Sequence, residues 1–179
     1  SDFFYFTVIE QEKSAIIMTS TENILFIEEQ SENSKLWEGT KLTPEMASSM
    51  SGIQQIESIS RLENLLRQLT QNRHHLYFNI KEPLLSKPIQ SPDEFFFSRF
   101  REQYPFYHYH SARGIIEKLR LQKETEETEY IRQAIGITHN AFNRILRNIK
   151  PGINENELEA ELRYEFQLNH SVPAYDPIL

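Results

Sequence analysis

The stretch KLRLQKETEETEYIRQAIGITHNAFNRILRNIKPGINENELEAELRYEFQLNHSVPAYDPIL, residues 118–179, decides the reading, because it holds two punctuated helices and then a proline-rich run. After Arg120 the apolar positions Ile131, Ile135, Phe142, Ile145 and Ile149, with Thr138 among them, recur at threes, fours and their sums. That spacing predicts one stripe of a helix about six turns long. Lys150-Pro151-Gly152 ends it, since proline disfavours helical dihedrals in the residue before it and glycine lets the chain reverse. Asn154 and Glu157 then make a capping-box pattern, with Asn154 accepting from the amide three residues on, Glu157 reaching back, and Ile153 and Leu158 as the staple. Leu158, Leu162 and Phe166 face inward along a second helix that runs to about Asn169. Two helices joined so closely are expected to pack side by side. The run from Ser171 to Leu179, with Pro173 and Pro177, is expected to be extended, as the lead-in to a strand.

Outward from this stretch, Tyr104 to Gly114 reads as an irregular seam between domains. Ser91-Pro92-Asp93-Glu94 starts a helix ahead of Phe95, Phe96, Phe97 and Phe100. Leu76 to Ile80 reads as a strand. Ser60-x-x-Glu63 caps a helix with Leu62, Leu65, Leu66 and Leu69 inward, and Thr43-Pro44-Glu45 starts a short one. Phe3 to Val8, Ala15 to Met18 and Ile24 to Ile27 read as three β-prone strands separated by polar turns. Strands alternating with helices favour an α/β domain, a mixed sheet flanked by helices. The expected division is residues 1–114 and 115–179.

Composition narrows the classes. At 39% hydrophobic and 25% charged residues the chain is ordinary for a globular protein, and no apolar run has the eighteen or so residues of a membrane span. A net charge of -7 without a basic cluster argues against a nucleic-acid partner. With no cysteine there is no disulfide, thiolate nucleophile or Cys-held zinc, which is compatible with the cytoplasm. No secretory h-region is visible, and no glycine-rich phosphate loop or nucleophile elbow occurs.

The histidines are the tempting metal ligands. Of His74-His75 and His108-x-His110, only the second pair shares a strand face, and it has no third ligand nearby in sequence. No HExxH occurs, so these read as surface or interface histidines, with His139 and His170 as packing or capping groups. Glu124, Glu126, Glu127 and Glu129, and Glu155, Glu157, Glu159 and Glu161, open the two helices. There they suit the unpaired amides and the dipole, and the reading is a solvated face.

Leu119-Arg120-Leu121-x-Lys123-x-x-Glu126-Glu127, the long helix, Lys150-Pro151-Gly152, the Glu157-Leu158-Glu159 helix and Pro173-Ala174-Tyr175-x-x-Ile178 together resemble the opening of the pita-bread metallopeptidase fold. The match is to the Xaa-Pro aminopeptidase (aminopeptidase P) family, with Xaa-Pro dipeptidase (prolidase) next. Ser1-Asp2-Phe3-Phe4-Tyr5-Phe6-Thr7 resembles a run in that family's creatinase/prolidase-type N-terminal domain, although relatives continue with Gly where this chain has Val8. Relatives also cap the long helix with Ser-Pro, where this chain has Glu124-Thr125. Trp37 falls in the family's Trp-x-Gly segment.

The resemblance implies a mixed α/β N-terminal domain, incomplete at its start, followed by the first two helices of a pita-bread domain. It implies a parent protein that removes the N-terminal residue before proline with a hydroxide activated by two divalent ions, typically manganese. The family's two Asp, one His and two Glu ligands lie beyond the segment matching Pro173 to Leu179. This chain is therefore expected to hold no catalytic or metal-ligand residue, to bind no metal, and to be inactive alone. Trp37 is implied to border the substrate cleft and Tyr175 to line it. Their alternatives are a loop aromatic packed on the sheet edge and a core tyrosine with a bonded hydroxyl. The partners implied are a proline-containing peptide and further copies in a dimer or tetramer, in the cytoplasm. A prolidase, and a non-catalytic binding protein on the same scaffold, stand as alternatives.

Overall fold

In the computed structural model, residues 1–29, 41–71, 74–80 and 91–178 are described. The chain opens on a helix, α1 (Asp2–Thr7), where the aromatic run suggested a strand. Local bonds explain the difference: Ser1 Oγ accepts from the Phe4 amide at 3.1 Å, and Thr7 Oγ1 donates to the Phe3 carbonyl at 2.8 Å. Such side-chain bonds satisfy helix-end groups that a strand would need a partner to satisfy. Val8 closes the helix in the left-handed region, φ 58°, with its amide on the Phe4 carbonyl at 2.7 Å.

Strands β1 (Ala15–Met18) and β2 (Asn23–Ile27) pair antiparallel, with Ala15 opposite Phe26 and Met18 opposite Asn23. Thr43 caps α2 (Pro44–Ser51), its hydroxyl accepting from the Met46 amide. The chain then forms β3 (Gln55–Ser58), which lies parallel to β2 and makes the sheet mixed, in the order β1-β2-β3. Nothing in Gln-Ile-Glu-Ser itself, with its single apolar side chain, marks β3 as a strand. It pairs with a neighbour, β2, in which Ile24, Leu25, Phe26 and Ile27 are all buried. Ile9, Leu25, Ile27, Ala47 and Ile53 form one core, with Phe3, Ile16, Leu42 and Ile56 against it.

A 3₁₀ turn, Ile59–Arg61, leads into α3 (Leu62–Thr70). Ser60 lies in that turn, bonded to Ser58, so it does not cap the helix; Arg61 occupies the cap position without a side-chain bond. The helices α4 (Pro92–Gln103) and α5 (Arg113–Leu121) flank β5 (His108–Ser111). Ser91 and Glu94 supply the expected capping box of α4. β5 corrects the seam expected over Tyr104 to Gly114. It pairs in parallel with β4 (His75–Phe78), so the described strands form a three-stranded and a two-stranded sheet. Phe96, Phe97 and Phe100 of α4 cover one face of that pair, their rings 6.5, 5.1 and 5.9 Å from Phe78.

Residues 1–117 and 118–179 form separate compact units, and the division falls within α5. The second unit is built on α6 (Thr125–Asn148) and α7 (Glu155–Leu168). Glu124 caps α6, with the Glu127 carboxylate accepting from the Glu124 amide at 3.1 Å. Gly152, at φ 87°, takes the left-handed turn that follows Pro151. Asn154 Oδ1 accepts from the Asn156 amide at 3.0 Å, and Glu157 accepts from the Asn154 amide at 3.2 Å. Ala141 and Ile145 bury against Leu158 and Leu162, with Ile153 and Phe166 beside them. Of the expected stripe only Ile145 is buried; Ile131, Ile135, Phe142 and Ile149 are 45 to 62% exposed. The 14-residue α7 is too short to cover a 24-residue partner along its length. Among the described residues no helix is long and apolar enough to cross a membrane.

Candidate functional site

Among the described residues, side chains capable of chemistry or recognition gather in two places. The first is the segment after α7. Ser171 donates through its amide to the Phe166 carbonyl at 2.9 Å, which ends the helix, and Val172 to Ile178 continue without regular structure. Arg163 ties this segment back. It donates to Glu159 at 2.5 Å, one turn earlier, and to Asp176 at 3.1 Å. The Glu159 bond, followed by the Asp176 bond, holds the guanidinium protonated more firmly than usual. Asp176 adjoins Tyr175, which is 81% exposed among the described residues. Trp37 lies outside the described residues.

Two links hold α7 against α6 and so fix the base of this segment. Arg144 pairs with Glu161, and its guanidinium lies 4.2 Å from the centroid of the Tyr164 ring. A partly desolvated cation over an aromatic face contributes about 0.5–1 kcal/mol or more. Glu127 and Glu157 thus serve the caps, and Glu129, Glu159 and Glu161 are ion-pair partners. A recess at the start of α6 is lined by Lys118 and Lys123 as well as Glu124 and Glu126, a mixture that favours neither sign of ligand.

The second place is the open face of β4 and β5. The parallel register sets His75 opposite His108 and Tyr77 opposite His110. The period of two puts all four rings on one face, away from Leu76, Phe78 and Tyr109. His75 Nδ1 lies 2.9 Å from His110 Nε2, and the His75 ring stacks on those of His108 and His110 at 5.1 Å. Tyr77 stacks on His110 at 4.9 Å. Sequence spacing brought out the His108/His110 pair but missed His75, which reaches it only by pairing across strands. On the covered face the Tyr109 hydroxyl donates to the Tyr104 carbonyl, and burial raises its phenol pKa.

Among the described residues no group of three or more His, Cys, Asp or Glu side chains is arranged to hold a metal ion. The pair of divalent ions that the resemblance implies therefore has no seat in them, and no step is derived through it.

Fold and sequence matches define the class. Residues 1–77 match the family model of the aminopeptidase P N-terminal domain, and residues 129–179 match that of metallopeptidase family M24. The structure superposes on a Bacillus anthracis protein described as an aminopeptidase P with a TM-score of 0.85, at 26% identity over 94% of this chain and 41% of that one. Aminopeptidase P from Escherichia coli in a low-pH form shares the fold, with a TM-score of 0.71 and 24% identity over 94% of this chain and 40% of its own. In sequence, the Xaa-Pro aminopeptidase of Escherichia coli K12 is 22% identical over the whole chain. The chain is thus similar to the aminopeptidase P N-terminal domain at one end and to metallopeptidase family M24 at the other, on a fold shared with aminopeptidase P. It spans 42% of the length of that curated relative.

Proposed function

We propose that this chain is the N-terminal part of a metal-dependent aminopeptidase that hydrolyses the bond between an N-terminal residue and a following proline. The observation that carries the reading is the joint one. A single chain matches the aminopeptidase P N-terminal domain at one end and family M24 at the other, on a fold shared with aminopeptidase P over 94% of its length. Residues 1–114 are the N-terminal domain and 115–179 the opening of the catalytic domain. Two divalent ions, manganese in the resting enzyme, supply the hydrolytic chemistry on side chains this chain does not contain, so the chain alone is inactive. Trp37 and Tyr175 line the cleft for the proline-containing peptide. The exposed Tyr175 ring, on a segment anchored by Arg163 and Asp176, suits a residue that meets a ligand. The parent protein assembles as a dimer or tetramer in the cytoplasm.

The experiment is an assay of the complete polypeptide encoded around this chain, supplied with manganese, on an Xaa-Pro-Xaa tripeptide and an Xaa-Pro dipeptide. Release of the first residue from the tripeptide, abolished by a chelator, is expected. Cleavage of the dipeptide alone would make the protein a prolidase, and no release from either would leave a binding protein. The 179-residue chain is expected to give no turnover under any metal. In the active polypeptide, Tyr175→Ala is expected to raise KM while leaving the melting temperature unchanged.

A further inference from the structure

We propose that Arg163 is a positioning residue for peptide binding: through Asp176 it fixes a bend of the chain at Ala174 and Tyr175, and so sets where Tyr175 meets the peptide. The inference rests on the reading of Tyr175 as a cleft residue of an Xaa-Pro peptidase. The segment after α7 is tied to that helix at two points. At the first, the Phe166 carbonyl accepts from the Ser171 amide at 2.9 Å and from the Ser171 hydroxyl at 3.0 Å. At the second, Arg163 Nη2 donates to Asp176 Oδ1 at 3.1 Å. Arg163 and Phe166 stand only about 4.5 Å apart along the helix axis. The chain from Ser171 to Asp176 would reach about 17 Å if extended, well beyond that distance even with the Arg163 side chain added. The slack is taken up where the backbone bends, at Ala174 and Tyr175. Tyr175, next to the second tie, is left 81% exposed.

A lone exposed ion pair is a weak tie. Here the guanidinium is already oriented, because Glu159, one turn earlier on α7, accepts from Arg163 Nε at 2.5 Å. Only Asp176 has then to be brought to it. Pro173 and Pro177 restrict the chain on either side of Ala174, Tyr175 and Asp176, so little freedom is left for the tie to remove. The planar fork of arginine serves both carboxylates at once, through Nε and Nη2. A lysine ammonium is a point charge and cannot hold the two in fixed directions. Without the tie Asp176 is released and Tyr175 beside it samples other positions. Peptide binding then weakens, while the hydrolytic step, which uses neither residue, keeps its rate.

Two measurements test this. In the 179-residue chain, the heteronuclear NOE of the Ala174, Tyr175 and Asp176 amides is expected to approach that of α7. Arg163→Ala and Asp176→Asn should each lower it to the level of a mobile terminus while the α7 amides keep theirs; Asp176 lies outside the helix, so its variant leaves α7 intact. In the complete polypeptide supplied with manganese, both variants should raise KM for an Xaa-Pro-Xaa tripeptide about two- to fivefold at unchanged kcat. Arg163→Lys should fall between Arg163→Ala and the unsubstituted enzyme. Once Tyr175→Ala is present, Arg163→Ala should add nothing further, whereas an ion pair with a structural role only would add its effect in either background. A polypeptide that hydrolyses no peptide before any substitution would sink the peptidase reading and the peptide-binding role together, and the NOE would still decide the tie. Unchanged amide order in Arg163→Ala overturns the proposal, as does an unchanged KM, or a rise in KM that persists in full beside Tyr175→Ala.

Discussion

Val8 is the residue at which sequence and backbone disagree most. It is β-branched, yet holds φ 58° and ψ 18° at the end of α1. A left-handed conformation costs an L-residue roughly 1–2 kcal/mol, against about 0.4–1 kcal/mol for the extra unfolded-state freedom of glycine. Val8 is 54% exposed, so little burial is lost on truncation. Val8→Gly is therefore expected to stabilise the chain by about 0.5–1 kcal/mol, read from the urea midpoint at constant slope. Glu28 gives a second test. The bond from Lys13 at 2.7 Å, then that from Lys41 at 2.5 Å, lowers its pKa below the ordinary 4.5. A carboxyl with a depressed folded-state pKa adds stability that is fully present above its unfolded-state value and is lost as pH falls through the folded one. Glu28→Gln should flatten that acid limb below about pH 4.5 in midpoints measured at successive pH values, and leave the slope near neutrality unchanged.

At the scale of elements, the helix pair separates packing from mere periodicity. Ile145 is 6% exposed and Leu162 7%, while Ile135, on the same sequence stripe as Ile145, is 62% exposed. Ile145→Ala and Leu162→Ala are each expected to cost about 2–4 kcal/mol. Ile135→Ala should stay within about 0.5 kcal/mol in this chain. Thermal melts followed by circular dichroism near 222 nm, the helix signal, would rank them; equal losses at Ile135 and Ile145 would contradict the packing. Three helix starts were legible in the sequence because a cap is a local device, whereas Ser60, bonded to Ser58 in the preceding turn, does not cap α3. Thr43-Pro44, Ser91-Pro92 and Asn154-x-x-Glu157 each carry their own hydrogen-bond partners within one turn. Strands β3 and β5 were not legible, because what makes Gln55–Ser58 and His108–Ser111 strands is the neighbour each pairs with. α1 failed for the opposite reason, as the aromatic content of Phe3 to Phe6 outweighed a serine cap one residue from the start. The same division holds for side chains: the expectation for Tyr175 rests on its own short segment, whereas the approach of His75 to His110 is a product of strand register.

At the scale of the whole molecule, two buried clusters among the described residues share no residue. Ile9, Leu25, Ile27, Ala47 and Ile53 make one, and Ala141, Ile145, Leu158 and Leu162 the other. Each is assembled within its own compact unit, on either side of the division inside α5. A cavity made in one core removes contacts from that core alone, so its destabilisation should be read first by the amides whose opening breaks those contacts. Leu162→Ala is expected to accelerate hydrogen exchange throughout α6 and α7 while β1, β2 and β3 keep their protection. Leu25→Ala, fully buried in the first core, should do the reverse. Native-state exchange followed by mass spectrometry of peptides from each unit makes the comparison. A Leu162→Ala chain that lost protection equally in β2 and α7 would show one cooperative unit in place of two, and the independence of the helix pair would have to be given up.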